Sequence, residues 1–257
     1  MEFIRYEKKG RIAYVTIQRP EVRNALHPPA NEEMARAFDD FAADDDLWVA
    51  IVTGAGEQAF CAGNDLKYSA EHGMEATRVP PTGFGGLTSR FDLFKPVIAA
   101  VNGVALGGGF EIALACDLIV AAEEATFGLP EPRVGLAALA GGIHRLPRQV
   151  PLKLAMGLLL TGRRISAAEA LRLGIVNECV PRDRLMETAE RWAREILECA
   201  PLSVRATKEA ALRGLSLPLE RAVREPFPGI ETLLRSEDMR EGVRAFAEKR
   251  KPRWQGR

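Results

Sequence analysis

The sequence of 257 residues predicts an α/β core followed by a helical C-terminal region. Two continuous apolar runs of strand length, 48–53 and 96–101, indicate buried strands. Each is followed by a glycine-rich turn and a helical pattern, so strand–turn–helix units alternate along the chain. From about residue 152 onward, helical periodicity dominates. We therefore predict an α/β unit over 1–199 and a helical unit over 200–257.

The individual elements follow from the same patterns. Residues 2–7 and 11–18 are rich in β-branched and aromatic residues on either side of Lys9-Gly10, which predicts a hairpin. Residues 19–29 contain three prolines and predict a loop. The other predicted elements are a helix over 31–43 that Asn31 caps, strands over 48–53, 96–101 and 118–121, a short helix over 107–115, a surface loop over 70–86, and helices over 152–161, 167–173, 182–199, 201–213, 217–235 and 237–248.

Composition excludes several classes of function. Lys plus Arg equals Asp plus Glu at 35 each, so we expect neither nucleic acid nor a membrane as a partner. No apolar run approaches the roughly 18 residues that span a bilayer, and the charged N-terminal segment lacks a signal-peptide pattern. The four cysteines and three histidines are scattered without the spacing of metal ligands, and phosphate-loop and serine-elbow motifs are absent. These features predict a cytoplasmic protein without a metal site.

Two glycine-rich turns are the best candidates for chemistry. Phe60–Lys67 follows the strand over 48–53, and Asn102–Glu111 follows the strand over 96–101. We interpret both as strand-to-helix turns, whose first amides have no acceptor within the helix. The glycines at 107–109 let the backbone approach a ligand closely, although they would also permit tight helix packing. Two such amides directed at one oxygen would form an oxyanion hole.

Two carboxylates accompany these turns. Glu111 lies one helical turn after the glycines, and the helix continues with the wholly apolar Ile112–Cys116. Burial of a lone charge there is costly, so Glu111 is either paired with a cation or functional. Glu131 lies between two prolines that restrict its backbone. A salt bridge from Glu131 to Arg133 or Arg145 is the alternative to a catalytic role, and the local pattern leaves both open.

Four longer segments add a family resemblance. They are FCAGNDLK, PVIAAVNGVALGGGFEIALACDLIVAAEEATFGLPE, LTGRRISAAEALRLGIVNECV and SEDMREGVRAFAEKRKPRW. Together they resemble the enoyl-CoA hydratase/isomerase family, also called the crotonase family, over nearly the whole chain. The resemblance implies a crotonase-like spiral of ββα units whose C-terminal helices build homotrimers, often paired into hexamers.

The resemblance also implies residue roles. The oxyanion donors are the backbone N–H groups of Asn64 and Gly108, and the catalytic residues are Glu111 and Glu131. Because family members that only isomerise often keep one carboxylate, the presence of both favours enoyl-CoA hydration. Coenzyme A then enters as part of an acyl-CoA thioester substrate, and no separate cofactor is implied. The alternatives are a carnitinyl-CoA dehydratase-type lyase, an enoyl-CoA isomerase and a non-catalytic acyl-CoA-binding protein.

Substrate contacts are predicted around the first turn and after Glu131. The predicted binding residues are Arg23, Ala62, Gly63, Asp65, Lys67 and Leu139, with the cluster Lys249–Lys251 as a further source of cations for the CoA phosphates. Each of these cations has solvent-exposed surface charge as its alternative. Ala138 and Leu139 depart from the Pro-Gly that typical hydratases carry. We expect the Leu139 amide to remain available and its side chain to reshape the acyl pocket.

Overall fold

Two β-sheets organise the chain, and the computed structural model describes residues 1–73 and 78–257. The six-stranded sheet has the order β1-β2-β3-β5-β7-β10, and the four-stranded sheet has the order β4-β6-β8-β9. The strands are β1 (Ile4–Lys9), β2 (Ile12–Ile17), β3 (Val49–Gly54), β4 (Ala59–Cys61), β5 (Val97–Val101), β6 (Val104–Leu106), β7 (Leu118–Ala122), β8 (Thr126–Gly128), β9 (Ile165–Ser166) and β10 (Glu178–Val180).

Eleven helices are present in the part of the chain that the structure describes. They are α1 (Pro28–Ala43), α2 (Leu66–His72), α3 (Gly108–Ala115), α4 (Gly142–Gln149), α5 (Leu152–Thr161), α6 (Ala167–Arg172), α7 (Leu185–Leu197), α8 (Pro201–Gly214), α9 (Leu219–Ala222), α10 (Pro228–Arg235) and α11 (Glu237–Ala247). None of these described helices combines the length with the apolar composition that crossing a bilayer requires.

Successive repeats place one strand in each sheet. The longer strands β3, β5 and β7 are parallel neighbours in the large sheet, and the three-residue strands β4, β6 and β8 are parallel neighbours in the small one. Helix α2 follows β4, and α3 follows β6. The predicted spiral of ββα units is therefore confirmed, together with the hairpin β1–β2.

Both faces of the large sheet are buried, which explains why its strands read as continuous apolar runs. On one face, α1 and α3 contribute to the main core, for example through Phe38, Phe41 and Ile112. On the other face, α7 packs Leu185 and Ala189 against β3, β5 and β7. The division of the chain at 199/200 stays a prediction.

Several predicted elements have different bounds. Helix α1 begins at Pro28 rather than Asn31, because proline suits the first helical turn, where its missing N–H group is not needed. The side-chain Oδ1 of Asn31 instead accepts a hydrogen bond from Gly85 N (2.7 Å). The predicted helix over 217–235 is divided into α9 and α10, since Pro226 and Pro228 interrupt it.

The loop predicted over 70–86 is only partly a surface loop. Residues 74–77 lie outside the described residues. On either side of them, α2 extends to His72, and Phe84–Gly86 form a buried 3₁₀ turn. The two glycine-rich turns are also shorter than predicted, because β4 and β6 occupy part of each.

Helix α3 packs on β4 so closely that only glycine fits at position 109. A Cβ at Gly109 would collide with the backbone carbonyl of Cys61, whereas a Cβ at Gly157 in α5 would meet no atom within 4 Å. We expect Gly109→Ala to lower the free energy of unfolding by about 1–3 kcal/mol through overpacking. Gly157→Ala is the matched control and should raise it by about 0.5–1 kcal/mol. Urea denaturation measures both, and equal effects of the two changes would contradict this packing.

Candidate active site

The two glycine-rich turns lie against each other. One connects β4 to α2 and the other connects β6 to α3. Gly63 has φ 96°, and a Cβ there would lie 2.8 Å from the Leu106 carbonyl oxygen and 3.1 Å from the Gly108 nitrogen. Because β4 and β6 are parallel neighbours, their carboxyl ends bring both turns to one edge of the small sheet. Asn64 and Gly108 therefore lie in adjacent turns, as the sequence predicted.

The backbone amides of both residues lack a protein acceptor in the part of the chain that the structure describes. Gly63 O accepts from Leu26 N (2.8 Å), and Asp65 N donates to Leu26 O (3.1 Å), so this pairing holds the backbone on both sides of Asn64. Gly108 is the first residue of α3 and has no intrahelical acceptor. Within residues 1–73 and 78–257, neither the Asn64 nor the Gly108 amide donates to a protein acceptor. These two amides can therefore stabilise a developing negative charge.

Glu111 is buried in the first turn of α3, with 3% of its surface exposed. Its Oε1 accepts a hydrogen bond from Gly142 N at 2.8 Å. Burial raises the pKa of Glu111 from 4.5 to about 7, the Gly142 amide opposes that rise, and the charge of Glu131 adds to it. A carboxyl group with such a pKa exchanges protons readily near neutral pH.

Glu131 begins a 3₁₀ turn, Glu131–Val134, that follows Pro130. Its Oε1 lies 3.1 Å from the position of a Cβ on Gly107, so the carboxyl group reaches the N-terminus of α3. Its Oε2 is buried and has no hydrogen-bond partner among the described residues. Burial raises the pKa of Glu131 as well. The side chain is thus costly to bury and unsatisfied, which favours a functional role.

The salt bridges that would explain Glu131 without function are absent from the described residues. Arg133 Nε donates to Thr161 O (3.0 Å), and Arg145 Nη2 donates to Thr88 O (2.8 Å). Neither arginine pairs with Glu131. The structure brings together the buried Glu111 and the half-buried Glu131 beside two amides that have no acceptor among the described residues. This arrangement is suited to acid–base chemistry next to a polarised carbonyl.

Known proteins resemble this chain over its whole length. The sequence pattern described as enoyl-CoA hydratase/isomerase matches residues 7–257. The chain belongs to the enoyl-CoA hydratase/isomerase family. A carnitinyl-CoA dehydratase of Salmonella typhi is 46% identical, covering 100% of this chain and 99% of the relative. An enoyl-CoA hydratase structure from Mycobacterium tuberculosis H37Rv is 40% identical, with a TM-score of 0.93 over 99% of both chains. A probable enoyl-CoA hydratase/isomerase from Mycobacterium abscessus is 41% identical, with a TM-score of 0.91 over 100% of both.

Of the predicted substrate-binding residues near the first turn, Arg23, Ala62, Gly63 and Lys67 have side chains or backbone that no ion pair engages among the described residues, whereas the Asp65 side chain is engaged. Ala62 N donates to Arg23 O (3.0 Å), so Ala62, Gly63 and Arg23 lie together beside the first turn. Arg23 and Lys67 are exposed on the surface. Asp65 differs, because its carboxylate pairs with Arg19 (3.0 Å) and caps α2 through Tyr68 N (3.2 Å). Its carboxylate is committed to the fold, and a substrate contact for any of these residues stays a prediction.

The expectation of an available Leu139 amide is wrong, whereas a phosphate contact for the cluster Lys249–Lys251 stays a prediction. Arg250, within the predicted cluster Lys249–Lys251, is held by Glu241 (2.6 Å) and Glu248 (2.6 Å), so its charge is already neutralised. The Leu139 amide donates to Ala137 O (2.8 Å) and is therefore not available. The Leu139 side chain is 78% exposed, so it does not line a buried pocket in this chain.

Sequence reasoning missed Gly142 and Arg145 as parts of the site. Gly142 supplies the amide that binds Glu111, and a Cβ there would stand 3.0 Å from Glu111 Oε1. The adjacent pair Gly141-Gly142 was a signal, since consecutive glycines indicate a close approach of the backbone. The role of Arg145 had no local signal, because its partner Thr88 is 57 residues away in the chain.

The raised pKa of Glu111 makes its contribution to stability depend on pH. Folding raises this pKa from 4.5 to about 7. The contribution of the Glu111 carboxyl group to the free energy of unfolding is therefore complete below pH 4.5, and it is lost as the pH rises through about 7. Glu111→Gln keeps the acceptor for Gly142 but cannot ionise. At pH 8 we expect the variant to exceed wild type in free energy of unfolding by up to about 3 kcal/mol, and at pH 4 to match it. Urea denaturation at both pH values measures this difference.

Glu123→Gln is the control for this prediction, because Glu123 is exposed. Its free energy of unfolding should lie within about 0.5 kcal/mol of wild type at both pH values, as is usual for a surface substitution. A Glu111→Gln variant that follows wild type at both pH values would show that the Glu111 pKa is not raised by folding.

Proposed function

We propose that the protein catalyses the reversible addition of water across the 2,3 double bond of an enoyl-CoA thioester. The observation that carries this proposal is the buried Glu111 and the half-buried Glu131, whose Oε2 is buried, beside the Asn64 and Gly108 amides, which have no acceptor among the described residues. Membership of the enoyl-CoA hydratase/isomerase family supports the thioester substrate. Coenzyme A enters with the substrate, so the proposed reaction requires neither a metal nor a redox cofactor.

In the proposed mechanism, the thioester oxygen accepts hydrogen bonds from the Asn64 and Gly108 amides. This polarisation makes Cβ electrophilic and stabilises the enolate that forms as water adds. Glu111 accepts a proton from water while the water oxygen bonds to Cβ, and Glu131, initially protonated, donates a proton to Cα. The pair is reset when the proton gained by Glu111 passes to Glu131 through the next bound water.

A second candidate is a carnitinyl-CoA dehydratase-type lyase. The 46% identity to the carnitinyl-CoA dehydratase of Salmonella typhi supports it. The chemistry at Cα and Cβ is the same, and the difference lies in a trimethylammonium group on the acyl chain. Enoyl-CoA isomerisation is less well supported, because it does not require two carboxyl groups.

A substrate panel tests these assignments. We expect hydration of 2-butenoyl-CoA or of 4-trimethylammonio-2-butenoyl-CoA, which is measured as loss of the enoyl absorbance. Preference for the first substrate would favour an enoyl-CoA hydratase, and preference for the second would favour a carnitinyl-CoA dehydratase-type lyase. Glu111→Gln and Glu131→Gln should each lower kcat by about 10²–10⁴-fold, because each removes one proton transfer. Glu123→Gln is the matched control and should retain wild-type kcat.

Other outcomes would redirect the assignment. Unchanged turnover in both Glu111→Gln and Glu131→Gln would contradict the proposed mechanism. Turnover of 3-enoyl substrates alone would identify an isomerase. Tight acyl-CoA binding without turnover of any substrate in the panel would identify a non-catalytic binding protein.

We further propose that the C-terminal helices assemble the protein into a homotrimer, which could pair into a hexamer. Support comes from large apolar side chains that are exposed in this region, namely Leu212, Leu215, Leu219, Val223, Leu234, Val243 and Phe246. Exposed apolar surface of this extent is typical of protein interfaces. A cytoplasmic location stays a prediction from the sequence.

Sedimentation velocity tests the assembly. Wild type should sediment as a trimer or hexamer at micromolar concentration. Phe246 is 87% exposed in the single chain, and Phe246→Asp should weaken association by about 10-fold or more, because a buried charge would replace an aromatic contact. A stable wild-type monomer would contradict the proposal.

A further inference from the structure

Arg145 is a cation at the active site to which the proposed mechanism assigns no role. It lies in α4, three residues after Gly142, and is half-buried. Its Nη2 donates to Thr88 O at 2.8 Å, and its Nη1 lies 3.5 Å from Ala140 O. Its guanidinium occupies the space that a Cβ on Gly141 would need. The side chain is therefore packed tightly beneath the loop 138–142.

That loop holds Glu111. Gly142 N donates to Glu111 Oε1 at 2.8 Å, and Gly141, directly before it, has φ 104°, a conformation that favours glycine. Displacement of the loop would move the Gly142 amide away from the carboxylate. Arg145 contacts the loop at Ala140 and Gly141, so it supports the peptide that orients Glu111.

The second contact of Arg145, with Thr88 O, connects it to the segment that packs on Gly108. Thr88, whose carbonyl accepts from Arg145, is 2% exposed and follows the buried 3₁₀ turn Phe84–Gly86. A Cβ on Gly108 would collide with the Phe84 ring, so this ring covers the residue that supplies one oxyanion amide. Arg145 thus connects the loop that orients Glu111 to the segment that packs on Gly108.

Charge adds to this positional role. Among the described residues, Glu131 from the 3₁₀ turn and Arg145 from α4 act on the charge of Glu111, and Cys116 after the end of α3 lies near Arg145. Burial raises the pKa of Cys116, and it raises that of Cys61 on the adjacent β4 to about 12, so both thiols are neutral. Arg145 is then the cation that opposes the effects of burial and of Glu131 on the Glu111 carboxyl. A guanidinium remains charged even when half-buried.

We propose that Arg145 is a positioning residue that fastens the loop 138–142, and with it the Gly142 amide that orients Glu111, to the segment 84–88. The expected changes in kcat and KM rest on the proposed function, whereas the expected change in the Glu111 midpoint does not. The proposed role of Arg145 differs from that of a salt-bridge partner, since no ion pair joins Arg145 to Glu111 or Glu131 among the described residues. It also differs from substrate binding, which would act on KM rather than on kcat.

The test compares three variants. Arg145→Met removes the hydrogen bonds and the charge. Arg145→Lys keeps the charge but cannot contact Ala140 O and Thr88 O at the same time, and we call this pair of contacts the two-ended contact. Arg148→Met is the matched control, because Arg148 lies on the same helix and is exposed. Among the described residues, its side chain donates only to His144 O (2.7 Å). Each is measured by kcat and KM against pH on the panel substrate that wild type prefers. The Glu111 midpoint is measured separately by ¹³C NMR of labelled glutamate carboxyls, with Glu111→Gln assigning the resonance.

For Arg145→Met we expect kcat to fall about 10-fold or more with KM within about 3-fold of wild type, as for a group that acts on the transition state. The Glu111 midpoint and the acidic limb of kcat should move upward by about one pH unit, because an opposite charge is lost. Arg145→Lys should keep the midpoint near wild type and still lower kcat. Arg148→Met should match wild type in every measurement.

Folded Arg145→Met with an unchanged Glu111 midpoint and unchanged kcat would overturn the proposal. A lower melting temperature as the sole effect would overturn it too, and so would a rise in KM with unchanged kcat. If Arg145→Met does not fold, Arg145→Lys decides, since wild-type kcat in that variant would show that the two-ended contact has no role. If wild type hydrates no enoyl-CoA, the proposed function fails, while the NMR midpoint still tests Arg145.

Discussion

The site depends on the close contact between two successive ββα repeats. Gly63 packs on the Leu106 carbonyl and the Gly108 amide, and Gly109 packs on the Cys61 carbonyl. Any side chain at Gly63 or Gly109 would force the repeats apart and would separate the turns that carry the Asn64 and Gly108 amides. The proposed oxyanion hole would therefore depend on backbone packing, and the glycines are required by distance rather than by turn chemistry alone.

The same packing determines the environment of Glu111. Helix α3 is otherwise apolar, and Glu111 in its first turn is shielded from bulk solvent, with 3% of its surface exposed. Burial of the ionised form is unfavourable, and this cost appears as a raised pKa. Such a cost is typical of groups that perform chemistry. Glu131 is a second instance at the same place, because its Oε2 is buried without a hydrogen-bond partner among the described residues.

Much of the fold could be predicted from the sequence, because β3, β5 and β7 are buried on both faces and read as apolar runs. The strands β4, β6 and β8 could not, since three residues carry too little periodicity to distinguish a strand from a turn. At the site, Asn64, Gly108, Glu111 and Glu131 came from turn chemistry and family resemblance. Gly142 did not, because its bond to Glu111 joins residues 31 positions apart, and such contacts exist only once the chain has folded.

The way Glu111 is held suits proton exchange near neutral pH. A direct salt bridge would orient the carboxylate but would also lower its pKa below the working range of an acid–base group. Here a neutral donor, the Gly142 amide, orients Oε1, and the cation Arg145 contacts the neighbouring peptide instead of the carboxylate. Orientation and charge are thus supplied by separate groups. The pKa of Glu111 can then remain at about 7, between the extremes that burial alone and a direct ion pair would impose.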